Sequence, residues 1–238
     1  QIRYDGRDKL MVTKPIATTR AQYAVDPGQV LAGAVQAPDT TRFGTEFVAP
    51  VGTNTSANNA FTYCSMSVIA AKDDTLVGFD ANADGTDEMQ VWLNQGETYM
   101  ITNIAVGARA KSSRPIQAHL LTGNVGSYYQ MRWFMLFPSY QWDDVYYAPV
   151  GSRTNADGGV TYVTVHLYNP HTSNMTVRYQ TASGSGSVTV PARANASYQM
   201  PFETGGRFYA TNGMTFLAIA QCDSGDQSRE WGYGLMPA

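Results

Sequence analysis

Apolar residues in this chain recur at every second position over short runs. From Thr161 to Tyr168, "TYVTVHLY" places Val163, Val165 and Leu167 on one face and Tyr162, Thr164, His166 and Tyr168 on the other. A period of two is that of a half-buried β-strand. "MTVRYQ" (175–180) and "SVTVPA" (187–192) flank the Ser/Gly run "TASGSGS", which predicts a hairpin with a flexible tip. No stretch keeps an apolar 3.6 period for three turns. The chain therefore reads as short strands separated by Gly, Pro, Asn and Asp, an all-β fold.

The pattern repeats. "FVAPVGT" (47–53) returns as "YYAPVGS" (146–152), with Pro50 and Pro149 separated by 99 residues. Tyr63 and Tyr162, Val91 and Val190, and Tyr99 and Tyr198 keep that spacing. "TKPIATT" (13–19) matches "SRPIQAH" (113–119), where Pro15 and Pro115 differ by 100, and "NGMTFLAIAQ" (212–221) begins a third copy. "EWGYGLMPA" at 230–238 is a shortened form of "QWDDVYYAPV". Ordered matches at a fixed period signal a duplicated structural unit. About 100 residues per unit, in short strands, predicts two tandem immunoglobulin-like β-sandwich repeats of about 99 residues. The expected domains are 1–106 for the first repeat, and 107–238 for the second plus the start of a third. The third copy's strands either complete the second sandwich, belong to a longer array, or join both halves into one pseudo-symmetric body. Ala-Pro-Val-Gly would end a strand in each unit, since Pro cannot donate to a ladder and Gly permits a turn.

Composition narrows the class. Of 238 residues, 43 % are hydrophobic and only 15 % charged. Such a chain can build a core, and its hydroxyl-rich polar residues suit extracellular surfaces. The net charge of −3, with no basic stripe, argues against nucleic acid as a partner. No apolar run is long enough for a membrane helix. The chain starts at Gln1 without a signal peptide and reads as a piece of a longer protein. Cys64 and Cys222 have no metal-ligand spacing; they form either one disulfide in an oxidising compartment or two buried thiols. A Cys64–Cys222 bridge would tie the first unit to the last strands.

Three stretches share a further resemblance. "AAKDDTLVGFDANADGTDEMQVWLNQGETYMI" (70–101) contains L-x-x-G-E-x-Y, and it is followed by "KSSRPIQAHLLTGNVGS" (111–127) and "RWFMLFPSYQWDDVYYAPVG" (132–151). Together they resemble the cell-surface domain family named for the N-terminal domain of IgG-Fc-binding protein. The resemblance implies a secreted, all-β domain associated with binding or adhesion. It assigns no binding residue here and implies nothing about binding immunoglobulin.

"DANADGTDE" carries the sharpest chemistry. Asp80, Asn82, Asp84 and Gly85 match the first six positions of a D-x-[DN]-x-[DN]-G calcium loop. Oxygen ligands at alternate positions of a tight turn converge on one hard cation. Position twelve is Val91, so the bidentate Glu of an EF-hand is missing, and Glu88 at position nine is the available substitute. The other reading is a solvated acidic tip. The hairpin at Gly184, 99 residues on, is expected to have the same length without carboxylates.

Aromatic residues crowd 128–147. Trp142 and Tyr146 align with Phe43 and Phe47 of the first copy and read as core. Tyr128, Tyr129, Trp133 and Tyr140 are additions in the second copy, and serve either as a glycan or protein contact or as packing between units. His119, His166 and His171 are isolated, with His166 expected at the surface, and adjacent Asp143 and Asp144 would face opposite sides of a strand. With no nucleophile elbow, zinc motif or phosphate loop, the chain does not read as an enzyme. Asn54, Asn174 and Asn195 open N-x-[ST] sequons.

The resulting expectation is an extracellular structural or adhesive module of a larger cell-surface or filament-forming protein. It would act by presentation and by contact with a protein partner or with itself. The alternative is carbohydrate binding through segment 128–147.

Overall fold

The computed structural model describes residues 10–14, 16–22, 31–55, 59–124, 131–223 and 230–238. Among them the structure is all-β, interrupted only by three short 3-10 turns.

Two layers form the first half. In one, the first part of β8 (Arg109–Gly123) lies between β3 (Gly44–Val48) and β5 (Thr75–Asp80), and β6 (Met89–Leu93) pairs with β5. In the other, the second part of β8 lies between β4 (Tyr63–Ala70) and β9 (Met131–Met135), and β7 (Thr98–Thr102) pairs with β4. β2 (Leu31–Gln36) joins β9 in parallel, and β1 (Thr19–Gln22) pairs with β2. The two-residue period explains the burial. Cys64, Met66, Val68 and Ala70 of β4 all turn inward, opposite Thr122, Leu120, Ala118 and Ile116 of β8. β8 changes layer near Pro115. Ile116 pairs with both Gly44 and Ala70, and the β3–β8 register jumps between Gly44 and Glu46. Pro115 falls in that irregularity, where its missing N–H costs no ladder bond.

The same pairing scheme recurs in the second half. β16 (Gly206–Ala210) lies between β10 (Val145–Ala148) and β13 (Met175–Thr181), and β14 (Gly184–Val190) pairs with β13. β17 (Leu217–Asp223) lies between β12 (Val160–Tyr168) and β18 (Trp231–Gly234). β15 (Asn195–Gln199) and the short β11 (Arg153–Thr154) also pair with β12. Phe208 pairs with Tyr146 and Tyr179 as Ala110 pairs with Phe47 and Phe79. Ala220 opposes Val165 as Leu120 opposes Met66. The strands that read as a third copy thus complete the second half, with residues 211–216 separating the two parts that β8 joins.

A division at 106/107 does not separate two bodies. β8 and β9 lie beyond residue 106 yet hydrogen-bond to strands before it. The halves also share a core: Tyr168, Leu217 and Ile219 from β12 and β17 are buried among Phe134, Leu136, Phe137 and Trp142. The second cluster, with Val163, Val165, Phe208 and Ala220, lies on the opposite face of that β12–β17 sheet. His166 is therefore buried, not at the surface. It packs edge-on to Phe61 with ring centres 5.1 Å apart. Burial, and then the Arg132 charge, push its pKa from 6.5 down to about 4.

Cys64 and Cys222 are both free thiols. Of the two alternatives, a bridge or two separate thiols, the structure has the second, for a directional reason. Cys222 shares its face of β17 with Ala220 and packs against the second cluster, while Ile219 on the alternate face meets the first, where Cys64 is buried. The Cys64 thiol donates to the Phe61 carbonyl at 3.5 Å, and burial pushes its pKa up to about 12. Burial also raises that of Cys222.

Candidate functional site

The acidic hairpin connects β5 to β6 and is organised by its own carboxylates. Phe79 and Met89 form the last ladder pair before the loop. Asp80 is only 4 % exposed, and its two oxygens accept the backbone N–H groups of Asp84 (3.1 Å) and Gly85 (2.9 Å). The Asn82 carbonyl oxygen also accepts the Asp84 N–H, at 2.8 Å, and its amide donates to Asp84 Oδ2 at 3.1 Å. Asp84 Oδ1 accepts the Thr86 N–H at 2.8 Å, and Glu88 Oε2 accepts the Ala81 N–H at 2.6 Å. Ala83 (φ 64°) and Gly85 (φ 97°) take left-handed conformations that turn the chain between these bonds.

Three of the four expected ligands converge. Carboxylate oxygens of Asp80, Asp84 and Glu88 lie within 4.8 Å of one another, a cluster able to hold a metal ion. The fourth, Asn82, turns its oxygen to the Asp84 N–H instead. Asp84 is held below the usual carboxylate range by the Thr86 N–H and then by the Asn82 amide, which favours its charged form. Three clustered oxygen donors suit a hard cation, and each carboxylate oxygen can accept an N–H and still offer a lone pair.

The expectation of equal hairpins is corrected. Thr181 pairs with Gly184, so only Ala182 and Ser183 link β13 to β14, and the Ser/Gly run continues as ladder. The acidic loop spans 81–88, whereas its counterpart between β13 and β14 holds only two residues. The Gly184 turn therefore gives no information on how 81–88 folds without an ion.

Among the described residues, the side chains of the aromatic segment do not form one platform. Trp133 is 5 % exposed and meets the His119 ring edge-on at 5.2 Å, so its face is not available to a sugar. As an aromatic added in the second copy, Trp133 reads from sequence as either a contact or a packing residue; in the structure it is buried, with its ring against His119 of β8. Tyr128 and Tyr129 lie outside the described residues. Tyr140 is 64 % exposed, with its hydroxyl 3.4 Å from the carbonyl oxygens of Arg42 and Phe43. Trp142 and Tyr146 are buried, as their alignment with Phe43 and Phe47 anticipates. The sequons also differ: Asn195 donates its amide to Pro50 O at 3.0 Å and to Thr55 Oγ1 at 3.3 Å, inside the structure.

One ionic feature has no local sequence signal. Arg132 and Glu230 are both fully buried, 3.3 Å apart, and Arg132 Nε donates to the Cys222 carbonyl at 3.2 Å. Asp223 stands 3.8 Å from the same guanidinium. A buried pair of this kind costs heavily if one partner is removed, and so ties β9 to the β17–β18 edge. Only the pairing of distant strands brings these residues together.

No protein-family model matches the chain, and no curated protein matches it. Among solved structures, it is similar to the crystal structure of a GH2 beta-galacturonidase from Eisenbergiella tayi bound to glycerol, with 11 % identity and a TM-score of 0.21. That match covers 94 % of this chain and 44 % of that one, so the chain spans less than half the length of the structure it matches.

Proposed function

We propose that the chain is a non-enzymatic structural or adhesive module of an extracellular or cell-surface protein, and that it acts by presentation. It consists of two tandem immunoglobulin-like sandwich units, with the boundary between β9 and β10. The observation that carries this reading is the shared core: Tyr168, Leu217 and Ile219 of the second half are buried in the first. Two sandwiches fused in this way hold their loops at a set distance and angle, which is what a presenting module requires. The resemblance to the IgG-Fc-binding protein N-terminal domain family is consistent with this role. Partners are proteins, including further copies of the repeat, met through loops and exposed edges.

The hairpin ion is calcium, held by Asp80, Asp84 and Glu88, with Asn82 ordering the loop. Oxygen-only donors and an exposed approach favour calcium over zinc, which prefers nitrogen and sulfur. A bound ion would stiffen the 81–88 loop that presents the site.

Beads coated with the chain test the adhesive reading, with calcium and with chelator, alongside a glycan array. The expected result is clustering of the beads, or their capture on a protein-coated surface, which weakens with chelator. Absence of both, together with turnover of a glycoside or peptide, would overturn the proposal. Array binding abolished by Tyr140→Ala would favour the carbohydrate alternative.

A further inference from the structure

We propose that the segment formed by residues 10–14 and 16–22 is the central strand of another β-unit, supplied by a preceding copy of the repeat. Leu10, Val12 and Ile16 would be its core positions. The inference rests on the tandem-unit reading above.

Exposure is the first observation. Leu10 (68 %), Val12 (52 %) and Ile16 (54 %) are apolar and open to solvent. Their counterparts are not. At a spacing of 100 set by Pro15 and Pro115, Leu10 matches Ala110 and Ile16 matches Ile116, both fully buried. In the second half the pairing scheme places Phe208 where Ala110 stands, and Phe216, bridged to Asp143, where Ile116 pairs with Gly44; both are again fully buried. Val12 matches Ser112, which is half-buried, and the structural counterpart of Ser112 in the second half, Ala210, is buried. The intervening Met11, 87 % exposed, matches exposed Lys111, so in a strand Leu10, Val12 and Ile16 would share the face that Ala110 and Ile116 turn to the core.

Pairing is the second observation. The β1–β2 hairpin, with Ala21 opposite Ala34, repeats β8–β9, with Leu121 opposite Trp133, and β17–β18, with Gln221 opposite Gly232. In the two later copies the other side of the first strand is occupied, by β4 at Ser65 and by β12 at Thr164. On β1 that side carries no ladder among the described residues. An unpaired edge next to exposed core-type side chains is what a strand shows when its sheet is supplied from elsewhere.

The same comparison identifies the occupant. The slot on either side of such a strand is made by β3-, β4- and β5-type strands, so the partner is a unit that has those strands and lacks a central one. A second copy of this chain does not fit, because β8, and β16 with β17, already fill both of its slots. The C-terminal strands likewise pair within the chain, so they are not the point of contact.

An extended chain tests this, with residues 37–109 placed ahead of residues 10–238 so that Arg109 runs into Leu10. Hydrogen exchange read by mass spectrometry should show amides 10–14 exchanging at unstructured-peptide rates in the parent chain, and slowed at least a hundredfold in the extended one. Ile16→Asp should leave the parent's urea midpoint unchanged and abolish protection of the added strands. Met11→Lys should do neither. Fast exchange at 10–14 in the extended chain, with the added strands protected, would overturn the insertion. Unprotected added strands without any substitution would overturn the tandem-unit reading beneath it.

Discussion

Gly232 on β18 lies directly against the Phe134 ring on β9, so that a Cβ at this position would overlap the ring. Glycine is required here for close approach. The contact joins the end of the chain to the centre of the first core, where Phe134 is fully buried. Gly232→Val should therefore destabilise by about 1–3 kcal/mol through overpacking. Because the core is shared, urea unfolding followed by fluorescence and by circular dichroism should show one coincident transition, shifted as a whole. Two separated transitions would indicate that the halves fold independently.

His166 makes stability depend on pH. Its folded pKa, about 4, is below its ordinary 6.5, so the unfolded chain binds the extra proton between these values. Stability from this group is complete above about 6.5 and is lost as pH falls toward 4. The loss amounts to roughly 3 kcal/mol at most. His166→Gln should flatten the difference between urea midpoints at pH 7 and pH 4.5, relative to the parent chain. Identical pH profiles for the two proteins would count against a buried neutral imidazole.

Calcium should raise the melting temperature of the chain, and chelator should reverse the change. At a hundred times Kd the linkage is worth about 2.7 kcal/mol. Asp84→Ala should remove the response, because Asp84 contributes to the oxygen cluster from an exposed position. Asp80→Asn is a poorer test, since Asp80 also holds the Asp84 and Gly85 amides and its loss disturbs the loop itself.

Trp133 and Tyr140 should separate packing from contact. Trp133→Ala should cost about 3–5 kcal/mol of stability, as expected for a large buried aromatic. Tyr140→Ala, at an exposed side chain, should change stability by less than about 1 kcal/mol. Denaturant titration of both variants measures the contrast. A small effect of Trp133→Ala would reopen the contact role expected from the aromatic run.

Alternation and repetition alone were enough to establish much of this protein. The two-residue period in "TYVTVHLY" places Val163, Val165 and Leu167 on one buried face, and β12 bears this out. The D-x-N-x-D-G spacing anticipated that Asp80 and Asp84 would converge, because a tight turn brings alternate side chains together locally. What the pattern could not specify is what covers the second face of a strand. Tyr162, Thr164, His166 and Tyr168 read as a solvent face, yet His166 and Tyr168 are buried because the first half packs over them. The same limit applies to Cys222, turned away from Cys64 by one position on β17, and to Arg132 and Glu230, paired only through strands far apart in sequence. Periodicity encodes which residues share a face. Which two faces meet is decided by the free energy of closing the whole body, and it can be read only from the tertiary structure.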